Sequence, residues 1–291
     1  MLRFKRFLKQ RYYRLRQWYP IWRYWVNRQG YRWYKKHPSV LDSVGERILV
    51  DLNHDGIAIA SLDELFPGTD WLSRLRSYVE TKRPTAKPQV SKPFLLQLWD
   101  NKSSTIDFTN PFVSLALSEK LLEIVNAYLK LAARFYFLEG SITLPVTDSN
   151  APKASQRWHR DPEDPTMCKV FFYLSDVTPD TGPFHYILGS QHGGRYGRLF
   201  PQQPPTGVYP PDGMVEAVVD QKDIKMCTGK AGTIIFCDTA GFHRGGYAVI
   251  GERWMFTSGY SSPRSLWPAR YQTPTPENIN RLGPLARQAL N

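Results

Sequence analysis

The chain contains six histidines, His37, His54, His159, His185, His192 and His243, and one of them stands in Arg157-Trp158-His159-Arg160-Asp161. If that segment is extended, His159 and Asp161 share a face. An imidazole beside a carboxylate supplies two of the three protein ligands that hold non-haem Fe(II) and leave its other positions open. His243 is suited to the same role, since it follows the apolar run Thr233–Cys237 and a turn, and it stands close to Gly245-Gly246. A histidine just past a strand end, near glycines, can reach into a barrel mouth. Ten residues further on is Arg253, in Arg253-Trp254-Met255-Phe256-Thr257. Alternation puts Arg253, Met255 and Thr257 on one face, which is unusual for a core strand unless the guanidinium has an anion to hold, as it can a carboxylate through two parallel hydrogen bonds. His185 and His192 read as turn or rim residues satisfied by hydrogen bonds, and His37 and His54 as non-catalytic. Arg160, Glu163 and Asp164 read as a solvated, proline-bounded loop.

The elements that must position these residues follow from the pattern of the chain. Pro38–Gly45 reads as a linker, and Arg47–Leu52 and Ile57–Ala60 as a strand pair about a turn at Asp55-Gly56. Asp63–Glu80 and Ser118–Leu131 have helical spacing, the second with Ser118 as its cap; residues 81–93 read as a loop. From Arg134 onward the runs are short and β-like: Phe135–Leu138, Ser141–Val146, Arg157–His159, Lys169–Leu174, His185–Leu188, Thr233–Cys237 and Arg253–Tyr260. Helices followed by many strands predict an α+β protein with a sandwich or barrel core. Residues 193–228, rich in Gly, Pro and Gln, read as a long loop able to lie over a site. Residues 264–291 read as an irregular tail with one short helix.

At 291 residues, 42% of them hydrophobic, the chain can bury a sizeable core, and disordered, collagen-like and coiled-coil readings are excluded. No run is long and apolar enough to span a membrane. Three cysteines without a CxxC pair fit a reducing compartment, so the expected location is cytoplasmic, with a membrane surface as a further option. The formal charge of +12 is segregated: residues 1–37 hold twelve Lys/Arg and no acid, and the other 26 basic residues are matched by 26 acidic ones. That arm also carries an apolar stripe at steps of three and four, namely Phe4, Phe7/Leu8, Tyr12, Leu15, Trp18/Tyr19, Trp22 and Trp25/Val26. Pro20 should end one helix and open another. Nothing in the arm resembles the apolar stretch of a signal peptide. The stripe can pack on the body or on a second subunit as a homo-oligomer contact, bind a membrane surface peripherally, or, least favoured, bind nucleic acid.

Taken in order, His159, Asp161, His243 and Arg253 carry a resemblance. The chain resembles the phytanoyl-CoA dioxygenase family of Fe(II)- and 2-oxoglutarate-dependent oxygenases over roughly residues 45–260. The stretches that carry it are Trp158-His159-Arg160-Asp161-Pro162, the run from Lys169 to Val177, Thr181-Gly182-Pro183-Phe184, Leu188-Gly189-Ser190-Gln191-His192 and the His243/Arg253 segment. The resemblance implies a double-stranded β-helix (a cupin-like jelly roll) with helices packed outside, over residues 39–263, flanked by the 1–38 arm and the 264–291 tail. It implies His159, Asp161 and His243 as iron ligands, Arg253 on the far carboxylate of 2-oxoglutarate, and Lys169 and Tyr173, which share strand parity, facing the cosubstrate. The implied reaction is hydroxylation of a small-molecule or lipid-like substrate with O2, releasing succinate and CO2. Related halogenating enzymes carry Ala or Gly where this chain has Asp161, so the carboxylate favours hydroxylation. The alternative is a non-catalytic jelly roll whose working part is the arm, acting as a binding or assembly protein.

Overall fold

The computed structural model describes residues 2–90, 92–99, 106–146, 154–204, 207–272 and 274–290, with side chains from residue 7 onward and excepting that of residue 276. The helices are α1 (Leu2–Gln17), α2 (Arg28–Lys36), α3 (Ser43–Asp55), α4 (Leu62–Leu65), α5 (Trp71–Lys82), α6 (Pro111–Ala116), α7 (Glu119–Leu129), α8 (Pro276–Asn280) and α9 (Pro284–Leu290). The strands are β1 (Ile57–Ser61), β2 (Lys87–Gln89), β3 (Lys92–Gln97), β4 (Arg134–Thr143), β5 (Cys168–Tyr173), β6 (Phe184–Ile187), β7 (Ile224–Cys227), β8 (Thr233–Cys237), β9 (His243–Gly245) and β10 (Arg253–Ser261). Among the described residues seven strands form an antiparallel sheet in the order β1-β8-β5-β10-β4-β3-β2, and three form a second, β7-β6-β9. The two sheets face each other, with helices on the outside of the larger one: an α+β jelly roll.

Strand parity divides the interior into two. On β5, Cys168, Val170 and Phe172 enter the apolar core beneath the helices, where Leu121, Leu122, Val125 and Leu129 of α7 also lie. The alternate residues Phe171 and Tyr173 pack between the sheets with Phe184, Tyr186 and Cys227. β8 repeats the division: Ile234 and Phe236 go outward to the helices, Ile235 and Cys237 inward. Each fully buried Phe or Ile contributes about 1.5–3 kcal/mol, so the outward face carries most of the folding energy.

Three local readings are corrected. Arg47–Leu52 is helical, part of α3. Asp42 caps that helix by accepting from the Gly45 N–H at 2.9 Å, and Ile48 and Leu52, four apart, are both fully buried. The helix ends at Gly56, whose φ of +77° turns the chain into β1 and where a Cβ would come within 2.4 Å of the Tyr186 hydroxyl. The interval from Asp63 to Glu80 is two helices: Ser61 and Glu64 form a reciprocal capping box on α4, and α5 starts afresh at Trp71. Ser118 holds the N-cap position of α7, but its hydroxyl makes no capping bond.

The arm is helical, as its spacing predicts, and its two halves behave differently. Ile21–Val26 forms a π-turn, closed by the Asn27 N–H on Trp22 O at 3.0 Å, that lets the adjacent Trp22 and Arg23 both face inward. Trp22 Nε1 donates to Asp164 Oδ1 at 3.0 Å, and Arg23 donates to Leu129 O at 3.1 Å. Gly30 lets α2 lie against the body, since a Cβ there would sit 2.9 Å from Pro263 Cγ. From the predicted stripe, Trp22 is buried, whereas Phe7, Leu8, Tyr12, Leu15, Trp18 and Trp25 are exposed; the side chain of Phe4 lies outside the described residues.

Candidate metal centre

A single antiparallel bridge builds the site. His159 and His243 exchange both backbone hydrogen bonds, each at 3.1 Å, which sets their side chains next to one another on the same face. Two residues on, Asp161 returns to that face, and its N–H donates to Thr239 O at 2.9 Å. The imidazole centroids are 4.1 Å apart. His159 Nε2 lies 3.9 Å from Asp161 Oδ1, and His243 Nε2 lies 3.6 Å from Asp161 Oδ2. One ligand atom from each of the three residues fits within a 4.8 Å spread.

The surroundings suit these atoms to a cation. His159 Nδ1 is 2.8 Å from Arg157 O and His243 Nδ1 is 3.1 Å from Gly241 O. A proton on each Nδ1, donated to those carbonyls, leaves both Nε2 lone pairs turned to the centre. Burial pushes both imidazoles down in pKa, His243 to about 3, so both are neutral at pH 7. Burial works to raise the Asp161 carboxyl, but the Lys169 ammonium, 2.6 Å from Oδ2, and the two neighbouring imidazoles together outweigh it and hold the carboxyl well below the usual carboxylate range. Two neutral nitrogens and one carboxylate form a donor set that fits a divalent transition metal.

The centre opens into a cavity of about 310 Å³ between the sheets. Lys169 of β5 and Arg253, Met255 and Thr257 of β10 line one wall; Phe184, His243 and Tyr209 line the other. Arg253 is buried; its Nη1 donates to Gly182 O and its Nη2 to Thr143 Oγ1 at 3.1 Å, while its buried Nε has no partner among the described residues. Burial lowers its pKa, but a guanidinium stays charged. A cation with an unsatisfied donor at a cavity wall is suited to an anionic ligand.

The structure thus brings together five of the six residues selected from sequence, His159, Asp161, His243, Lys169 and Arg253, around one cavity. Tyr173 is placed differently: its hydroxyl donates to Cys227 O at 2.8 Å and accepts from the Phe184 N–H at 3.2 Å, tying the small sheet to the large one, and it is not among the lining residues. The loop after the HxD pair is not solvated, because Arg160, Glu163 and Asp164 are all buried. Arg160 spends its guanidinium on the carbonyls of Ser190, Ala240, Tyr196 and Leu199. Asp164 accepts from Trp22 and from the Ser262 N–H at 2.8 Å. Glu163 lines the cavity with one carboxylate oxygen unpartnered, its pKa raised by burial and then by Asp161.

Residues not selected from sequence also line the cavity: Lys92, Arg270 and Tyr209. Tyr209 comes from the long 193–228 loop and stacks on His159 at 5.3 Å, so that loop does cover the site. Gln202, from the same loop, donates to the Asp161 and Asp164 carbonyls. The outlying histidines stay outside the lining: His192 stacks on Tyr19 and His185 Nδ1 contacts Pro183 O.

No family model and no curated protein matches the sequence. Solved structures do match the fold. The epimerase SnoN, in complex with Fe3+, alpha ketoglutarate and nogalamycin RO, is 14% identical, with a TM-score of 0.54 over 76% of this chain and 84% of its own. HygX from Streptomyces hygroscopicus, with nickel, 2-oxoglutarate and hygromycin B bound, is 16% identical, with a TM-score of 0.52 over 79% and 90%. The non-heme alpha ketoglutarate dependent carbocyclase SnoK is 14% identical, with a TM-score of 0.51 over 84% and 92%. The chain therefore has the jelly-roll fold that these alpha ketoglutarate (2-oxoglutarate) proteins share.

Proposed function

We propose that the chain is a non-haem Fe(II)- and 2-oxoglutarate-dependent dioxygenase of the phytanoyl-CoA dioxygenase type that hydroxylates a small-molecule or lipid-like substrate. The observation that carries this reading is the buried His159-Asp161-His243 cluster opening into the same cavity as Arg253 and its unpaired Nε. The structural neighbours that bind a metal with alpha ketoglutarate or 2-oxoglutarate support it. His159, Asp161 and His243 would hold Fe(II), and Arg253 would take the far carboxylate of 2-oxoglutarate. When bound, iron and cosubstrate supply O2 activation for C–H oxidation, with succinate and CO2 as by-products.

The chain's own residues do the rest. The backbone carbonyls at 157 and 241 fix which nitrogen of each imidazole faces the centre, and Tyr209 holds the His159 ring by stacking. Lys169 keeps Asp161 ionised. Phe171, Phe184 and Met255 line the cavity with apolar surface that excludes water near the centre. A carboxylate at 161, in place of a small residue, supports hydroxylation over halogenation. In this reading the catalytic unit is residues 39–263, the arm 1–38 serves location, and the tail 264–291 packs against the core through Ala286, Ala289 and Leu290 and lends Arg270 to the cavity wall.

The test is anaerobic titration of the protein with Fe(II) and 2-oxoglutarate, followed by the visible metal-to-ligand charge-transfer absorption. A band that His159→Ala abolishes and Arg253→Ala weakens is the expected result. Its absence in folded wild-type protein overturns the proposal.

A further inference from the structure

The apolar stripe of α1 points away from the protein it belongs to. The partly buried residues near its end are Tyr13, Arg16 and Gln17, and the polar side is what meets the body: Gln17 donates to Pro162 O at 3.0 Å and Arg16 to Arg264 O. Phe7, Leu8, Tyr12 and Leu15, which follow the spacing of one helical face, are 48%, 50%, 54% and 61% exposed; Trp18, just past the helix and beside a cavity shared with Arg160, Pro165 and His192, is 61% exposed, and Trp25 beyond the turn is 80% exposed. A helix that packs on its own domain presents the opposite side. The segment that follows α1 is firmly seated through Trp22, Arg23 and Gly30, so the stripe is presented on an ordered support rather than on a loose tail.

The charge selects the occupant. The first acidic residue of the chain is Asp42, so every charged side chain in the arm is positive. A second copy would set twelve uncompensated cations against twelve more. Nucleic acid would use the basic side with the aromatics, but it gives Leu8 and Leu15 nothing to bury in. A lipid surface uses all of it: leucine and phenylalanine among the acyl chains, Trp and Tyr at headgroup depth, and Lys and Arg against anionic headgroups. We propose that the outward face of α1 seats this protein on an anionic membrane surface.

Co-sedimentation of the full chain with lipid vesicles tests this. Wild-type protein sediments with vesicles of roughly two parts phosphatidylcholine to one part phosphatidylserine, with a blue shift of tryptophan emission, and is released by high salt. Leu8→Glu with Leu15→Glu lowers partitioning by more than about tenfold with the far-ultraviolet circular dichroism and thermal midpoint unchanged, since both residues are exposed. Lys9→Gln and Arg11→Gln each lower it by roughly fivefold. Failure to sediment, or equal sedimentation of wild type and the double glutamate variant, overturns the proposal. So does equal binding to pure phosphatidylcholine, which removes the anionic requirement. A lipid-free dimer that the glutamate variant dissociates assigns the stripe to a second copy, and wild-type binding to RNA with none to vesicles assigns it to nucleic acid.

Discussion

Along β10, Phe256 and Tyr260 point into the apolar core beneath the helices, whereas Arg253, Met255 and Thr257, one residue out of step, line the cavity. β5 makes the same division, with Val170 and Phe172 on the helix side and Lys169 and Phe171 on the other. The helix side is filled by close-packed apolar side chains, with Ser258, whose buried hydroxyl lacks a partner among the described residues, as an exception. The cavity side holds buried charge, neutral histidines and, among the described residues, two unpaired polar atoms, Arg253 Nε and Glu163 Oε2. Unsatisfied buried groups oppose folding, so one face of the sheet stabilises the molecule and the other draws on that stability to keep a buried polar cluster.

That comparison breaks if substitutions on the two faces have similar consequences. The largest effect is expected from His159→Ala or His243→Ala, which should reduce succinate formation from 2-oxoglutarate to background while changing unfolding free energy by less than about 2 kcal/mol in denaturant titration. Phe172→Ala, on the opposite face, should cost about 3–5 kcal/mol in the same titration and leave the charge-transfer band intact in whatever protein remains folded. Arg253→Ala should raise the KM for 2-oxoglutarate by roughly 10–100-fold, as expected for losing a charged hydrogen-bond partner. Trp22→Phe, which strips the arm's donor from Asp164, should cost about 1–3 kcal/mol.

A further effect concerns pH. Burial pushes the Asp164 carboxyl up from 3.8 to about 7. Between those values the folded chain keeps a proton that the unfolded chain releases, so this group lowers stability as pH rises across that window. Asp164→Asn should flatten the slope of unfolding free energy between pH 4 and 7, measured against wild type. An unchanged slope would mean that Asp164 is ionised in the folded state.

The candidate site was legible because HxD, a later histidine and a later arginine, in that order, resemble a known family's pattern, and the structure brings the four residues to one cavity. The strand parity of Lys169 and Arg253 was legible too, since a period of two is a local property. Tyr173 shows the limit of that rule: parity sends its side chain between the sheets, but parity does not reveal that Cys227 O lies there to engage the hydroxyl. Arg160 and Asp164 show another. A run of charges between prolines is normally solvated, and only distant partners (four carbonyls for Arg160, Trp22 and Ser262 for Asp164) make their burial tolerable. Arg47–Leu52 reads as a strand because its apolar residues suit one, whereas the Asp42 cap and the left-handed Gly56 bound a helix.

What the sequence determined by itself is therefore what local rules control: the helical arm and its segregated charge, the alternation of most strands, and the chemical identity of the donors. The tertiary structure decided which distant donors meet. His159 and His243 are far apart in the chain, and two backbone hydrogen bonds between them set both imidazoles on one face. It also decided that α1 turns its stripe outward, because the bonds of Gln17 and Arg16 to the body orient the polar side inward. Helical periodicity fixes which residues share a face, but long-range contacts alone fix where that face points.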